Sequence, residues 1–106
     1  MKTMMISQPM KGRSDEEINK TRNIAIDYAE QHNYRFINTL FTDEWYSDEY
    51  TKAREVVNIP LYFLAKSLAN MSKCDAAYFA KGWETTRGCV LEHEVAKAYN
   101  VEIIYE

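Results

Sequence analysis

The segment from Gly82 to Tyr99, GWETTRGCVLEHEVAKAY, opens as a polar loop and continues with helical spacing. Within it, Glu92 and Glu94 bracket His93. A carboxylate is ionised at neutral pH, can attack an electron-poor carbon and can leave again, so it suits a covalent displacement. Successive helical residues turn by about 100°. Leu91, Val95 and Ala98 then define the buried face, with Glu92 roughly 70° from its centre and Glu94 roughly 90° away on the other side. His93 and Lys97 point more nearly outward on this reading. The geometry leans toward Glu92 without separating the pair, and the plainer reading of either glutamate is a solvated helix charge.

A second stretch with chemical potential is SQPMKGR, Ser7 to Arg13. It offers a hydroxyl, two cations, the flexible Gly12 and then a helix start. Free backbone N–H groups and the helix dipole at such a place attract an anion, with phosphate the obvious guest. Ser7, Gly12 and Arg13 are therefore expected to surround an anion. The segment is neither a Walker loop nor a G-x-G-x-x-G, and a solvated turn is the bland alternative.

Metal chemistry has little support. His32 and His93 lie far apart and lack ligand-like spacing with Cys74 and Cys89, so neither a metal nor a cofactor is expected. The two cysteines form no C-x-x-C, and they read as reduced thiols of a cytoplasmic protein. Net charge is −3 with no block of like charges, a poor basis for gripping a nucleic-acid polymer. The apolar runs are too short to cross a membrane.

These residues need a frame to hold them. The chain has 106 residues, 46% of them apolar, enough for one core in a single domain spanning 1–106. Thr3 to Ser7 reads as a buried strand, broken by Pro9 and Gly12. Ser14, with Glu17 three residues on, has capping-box spacing and opens a helix from Asp15 to about His32. Its inward face runs through Ile18, Ile24 or Arg22, Ala25, Tyr28 and Ala29. Tyr34 to Asn38 is a second strand. Thr39 to Val57 is aromatic, charged and irregular, too long for a plain connector, and is expected to cover something. Helical spacing resumes after Asn58, with Pro60 suited to a first turn and a stripe of Leu61, Leu64, Leu68 and Met71. Asp75 to Ala80 and Val101 to Tyr105 read as the last two strands.

Strands and helices thus alternate. That order predicts a three-layer, Rossmann-like (flavodoxin-like) α/β domain with a four-strand parallel sheet ordered 2-1-3-4, right-handed crossovers being assumed. Ligands of such sheets bind beyond the carboxyl ends of the strands. Ser7 to Arg13 and Lys81 to Arg87 both lie there. Trp83 is placed to stack on a flat ring from the mouth of the site, or to pack the loop on the core. Trp45 and Tyr46 invite the same two readings.

Two stretches, MMISQPMKGRS and CDAAYFAKGWETTRGCVLEHEVAKAY, resemble the nucleoside 2-deoxyribosyltransferase-like superfamily, closest to its small phage and bacterial members. The resemblance covers most of the chain and is weak from Thr39 to Ile59. It implies chemistry at the N-glycosidic bond of a nucleoside or nucleotide. Glu92 takes the place of the family's catalytic glutamate, because Ala96 falls on the matching alanine. Ser7, Gln8, Pro9, Gly12 and Arg13 match the loop that holds the sugar or 5′-phosphate end, and Gly82 and Trp83 fall in the second binding loop. The nucleotide hydrolases of this group carry an aspartate in the helix before the third strand, and its place here is Ser67. A serine supplies neither that charge nor an equivalent acid–base group. Asp43 and Glu44 are possible substitutes, more simply read as loop charges. Asp75 begins a strand and belongs at the opposite end from the crevice. A homo-oligomer, as a dimer, is expected from the resemblance and the aromatic-rich surface. Two rivals to an enzyme remain at this stage: a nucleotide-binding module without turnover, and a small interaction protein built on the same scaffold.

Overall fold

The computed structural model describes residues 1–37, 52 and 55–106. It contains β1 (Lys2–Ser7), α1 (Asp15–Gln31), β2 (Tyr34–Phe36), α2 (Ile59–Met71), β3 (Ala76–Phe79), a 3₁₀ turn (Trp83–Thr85), α3 (Arg87–Ala98) and β4 (Glu102–Tyr105). The strands form one parallel sheet in the order β2-β1-β3-β4. The α/β alternation, the four parallel strands and their order are those expected from the sequence. Asn38, Asp43, Glu44, Trp45 and Tyr46 lie outside the described residues, as does most of the segment expected to cover something.

Local chemistry sets the element ends. Ser14 caps α1 by accepting from the Glu17 backbone N–H at 3.1 Å, and its own hydroxyl donates to the Glu17 carboxylate at 3.2 Å. Asn58 caps α2 by accepting from the Leu61 N–H at 3.0 Å, with Pro60 in the first turn. Asn33 and Asn100, just past α1 and α3, take left-handed backbone with φ of 60° and 58°, which asparagine tolerates better than most residues.

The period of two along each strand sorts its side chains between the sheet faces. Met4, Ile6, Ala76, Tyr78, Ala80 and Ile104 pack under α1 with Ala25 and Ala29. On the other face Met5, Ala77 and Phe79 pack under α2 and α3, against Met71 and Ala96. Met4, Met5 and Phe79 are fully buried, each worth about 1.5–3 kcal/mol relative to exposure. Helices therefore lie on both faces, giving three layers.

The helix faces settle one open choice and correct two expectations. On α1, of the two candidates Ile24 and Arg22, it is Arg22 that turns inward, its guanidinium 5.3 Å from the Phe36 ring centre. On α2, Leu61 is exposed while Met71 is buried, because the stripe enters the core only toward its C-terminal end. On α3 the buried face is Cys89, Glu92, His93 and Ala96, and Leu91 is 42% exposed. The expected face of Leu91, Val95 and Ala98 is thus rotated, and His93 points in rather than out. Both sets have helical spacing; the one that packs contains the polar residues.

Candidate active site

The sheet register prepares the site. Ser7 pairs with Phe79, and Phe79 with Tyr105, so these residues form a row at the carboxyl ends of β1, β3 and β4. By the alternation along the strands, all of them face α3. Above the row lie Glu92 and His93, adjacent on the buried face of α3. Glu92 stands over the Ser7 end, and His93 stands over Phe79 and Tyr105.

Glu92 is 9% exposed. Burial pushes its carboxyl above the ordinary value of 4.5, while the hydroxyls of Ser7 and Ser67 pull it back by favouring the charged form. Ser7 Oγ is buried and has no partner in strict hydrogen-bonding geometry. Its hydroxyl dipole favours the charged form of both Glu92 and Cys89, against the larger effect of burial. Among the described residues, Glu92 makes no ion pair. Glu94, two residues on, is exposed.

Glu92 also lines a cleft of about 580 Å³ between α2 and α3. Pro60, Leu61, Phe63, Leu64 and Leu91 supply its apolar walls; Asn58, Ser67 and Arg87 are the other polar groups. The cleft is of a size that holds a small molecule. Ser67 also lines the cleft and faces Glu92 with a neutral hydroxyl.

The two loops expected to bind ligand do meet. Gly82 has φ of 90°, and a Cβ on it would sit 2.9 Å from Arg13 Nη2 and 3.6 Å from Pro9 Cγ. Glycine is therefore required twice, for its backbone and for the approach of Arg13. Arg13 also acts electrostatically on the Cys89 thiol, so Ser7 and Arg13 converge on the first turn of α3. Gly12, with φ of 77°, has open space where its Cβ would be, so its part is conformational. Gln8 ties the loop to α1, its Nε2 donating to Ile18 O at 3.1 Å.

Trp83 stacks on His93, ring centres 4.1 Å apart at 22°, and His93 Nε2 lies 2.6 Å from the Tyr105 hydroxyl. Phe79 meets the His93 ring edge-on at 5.0 Å. One face of the indole is thus occupied by packing, and Trp83 is not part of the cleft wall. Asp75 lies at the other end of the sheet, where Oδ2 accepts from the Thr3 N–H at 2.8 Å and holds the carboxyl below its ordinary value. Among the described residues no three of His, Cys, Asp and Glu are grouped to hold a metal.

Sequence reasoning missed Cys89 and the His93–Tyr105 pair. The signal available in the sequence is the spacing 89, 92, 93, 96, which is as helical as the apolar set. Thr86, at the N-cap of α3, makes no side-chain cap, its hydroxyl donating instead to Trp83 O at 3.4 Å. Residues 2–105 match the family model of a domain of unknown function, DUF4406. Neither a curated protein nor a solved structure matches the chain significantly.

Proposed function

This chain belongs to the DUF4406 family, and we propose that it cleaves or transfers the N-glycosidic bond of a nucleoside or nucleoside 5′-monophosphate, with Glu92 as nucleophile. One observation carries the reading. A carboxylate without an ion-pair partner among the described residues is buried at a cleft beyond the strand ends, between two hydroxyls. Burying a charge this way is unfavourable for folding, which points to a use for it. The resemblance to the nucleoside 2-deoxyribosyltransferase-like superfamily supplies the reaction class.

In this mechanism a Glu92 oxygen attacks the anomeric carbon as the C–N bond breaks. The bonding pair leaves with the base nitrogen, which takes a proton from water. The transition state has oxocarbenium character, which the adjacent negative charge stabilises. Water, or the nitrogen of a second base, then attacks the same carbon and releases Glu92 as the free carboxylate. Ser7 and Ser67 favour the ionised form that the first step needs. The apolar walls of the cleft suit the flat base, while Arg13 and the uncapped first turn of α3 suit an anionic sugar end.

Ser67 favours a second reading. A hydroxyl cannot activate water as a carboxylate would, so nucleotide binding without turnover is the alternative. Incubation with a panel of nucleosides and their monophosphates, followed by chromatography for free base, tests both. Released base supports the enzyme, binding alone supports the module, and neither contradicts both readings.

A further inference from the structure

We propose that the base leaving this site carries carbonyl oxygens, not an exocyclic amine, on its outer edge, and that Arg87 is the specificity-determining residue that reads it. The inference rests on the reading of Glu92 above and names the substrate class of the same cleft.

The two ends of the cleft differ in hydrogen-bonding character. Arg87 and Gly88 open α3 and Asn58 caps α2, so all three stand where the two helices begin. Glu92 lies five residues beyond Arg87, about 7.5 Å along the helix axis, comparable with the width of a planar base. Arg87 is exposed and Glu92 is buried, so the cation marks the outer end and the carboxylate the inner one. Pro60, Leu61, Leu64 and Leu91 line the walls and offer no polar side-chain atom.

At the outer end every free side-chain group is a donor. Among the described residues the Arg87 guanidinium has neither a hydrogen bond nor an ion pair. It carries five N–H donors and no acceptor. The Asn58 amide oxygen is taken by the Leu61 N–H at 3.0 Å, and its backbone carbonyl by the Tyr62 N–H at 3.0 Å, which leaves its NH₂ group. Nothing lies within 4 Å of where a Gly88 Cβ would stand, so the wall beside Arg87 is open. The side-chain acceptors of the cleft are Glu92 and Ser67, and on the reading above they belong to the reacting carbon.

A base held between the apolar walls, with its glycosidic nitrogen toward Glu92, turns its outer edge to Arg87 and Asn58. A 6-oxopurine offers two acceptors there, which a guanidinium matches with paired hydrogen bonds. An amine in the same place meets only donors and loses its bonds to water without replacement. The same contact serves the leaving group. The bonding pair that departs with the base nitrogen is delocalised onto the carbonyl oxygen, where a cation stabilises it before water supplies the proton. Among the described residues the cleft holds no carboxylic acid besides Glu92, so stabilising the departing charge is the help it can give.

The test uses substrate pairs that differ in this group: deoxyinosine with deoxyadenosine, and deoxyuridine with deoxycytidine. Base release is followed by chromatography, and kcat/KM is compared within each pair for the parent, Arg87→Met and Arg87→Lys. The parent should favour the carbonyl member by at least about tenfold, and Arg87→Met, which keeps the length without a donor, should bring the ratio to within about threefold of one. Arg87→Lys, still a donor-only cation, should keep the preference. The ratio is internal to each variant, so a general loss of activity does not move it. A parent that favours the amine or neither member, or a ratio unchanged in Arg87→Met, overturns the proposal. Should no member release base, the same ratios are read from dissociation constants by calorimetry, with the same expected values and the same refuting ones. In that case the proposed reaction fails while recognition of the base edge is judged by itself; binding of no member overturns both.

Discussion

Replacing Glu92 by glutamine should stabilise the fold while removing its chemistry. The side chain is 9% exposed and, among the described residues, lacks an ion-pair partner. Burial raises its folded pKa above the ordinary 4.5. Between that ordinary value and the higher folded one, the folded chain holds more protons than the unfolded chain, so stability falls as pH rises through the window. Above that window the full penalty is present, softened by Ser7 and Ser67. Glutamine keeps the shape and can still accept from those hydroxyls, but carries no charge to desolvate. Such relief at an active site is worth about 1 kcal/mol, or roughly 4–8 °C in Tm for a domain of this size. Thermal melts followed by circular dichroism at steps from pH 4 to pH 8 measure it. Glu92→Gln should melt above the parent at pH 7, and the gap should shrink as pH falls and Glu92 takes up its proton. A variant less stable than the parent at pH 7, or a gap that does not change with pH, would refute the reasoning.

Arg13→Ala should weaken a nucleoside monophosphate far more than the matching nucleoside in calorimetric titrations; equal losses would show that Arg13 does not read the phosphate. Gly82→Ala places a Cβ against the Arg13 guanidinium in left-handed backbone, so it should lower stability by about 1 kcal/mol or more in urea melts and weaken the same monophosphate. His93→Ala removes the stack with Trp83 and the contact with Tyr105; a loss of about 2–4 kcal/mol is expected in the same melts, and a near-neutral result would show that the cluster does not hold the loop.

The architecture was legible because local signals agreed with one another. Ser14 with Glu17, Pro60 after Asn58, and short apolar runs between helical stretches all point to alternating elements, and the sheet order follows from connection rules. What misled was α3. Hydrophobic spacing selects Leu91, Val95 and Ala98, yet the helix turns Glu92 and His93 inward, where they meet Ser7 and Tyr105 across the sheet. Local patterns fail where a buried polar group has partners distant in sequence, since no window of residues contains both. The approach of Arg13 to Gly82 and the stack of Trp83 on His93 are of the same kind. That Ser67 faces Glu92 is likewise a tertiary fact. The choice of Arg22 over Ile24 on α1, left open by spacing, is set by Phe36, whose ring the guanidinium meets.

The most direct test compares two glutamates of equal intrinsic acidity that differ in placement. With a nucleoside or monophosphate that the parent cleaves, base release should fall at least about a thousandfold in Glu92→Gln, roughly 4 kcal/mol of barrier, with ligand binding little changed. Exposed Glu94→Gln should stay within about tenfold of the parent. A fully active Glu92→Gln would contradict the account.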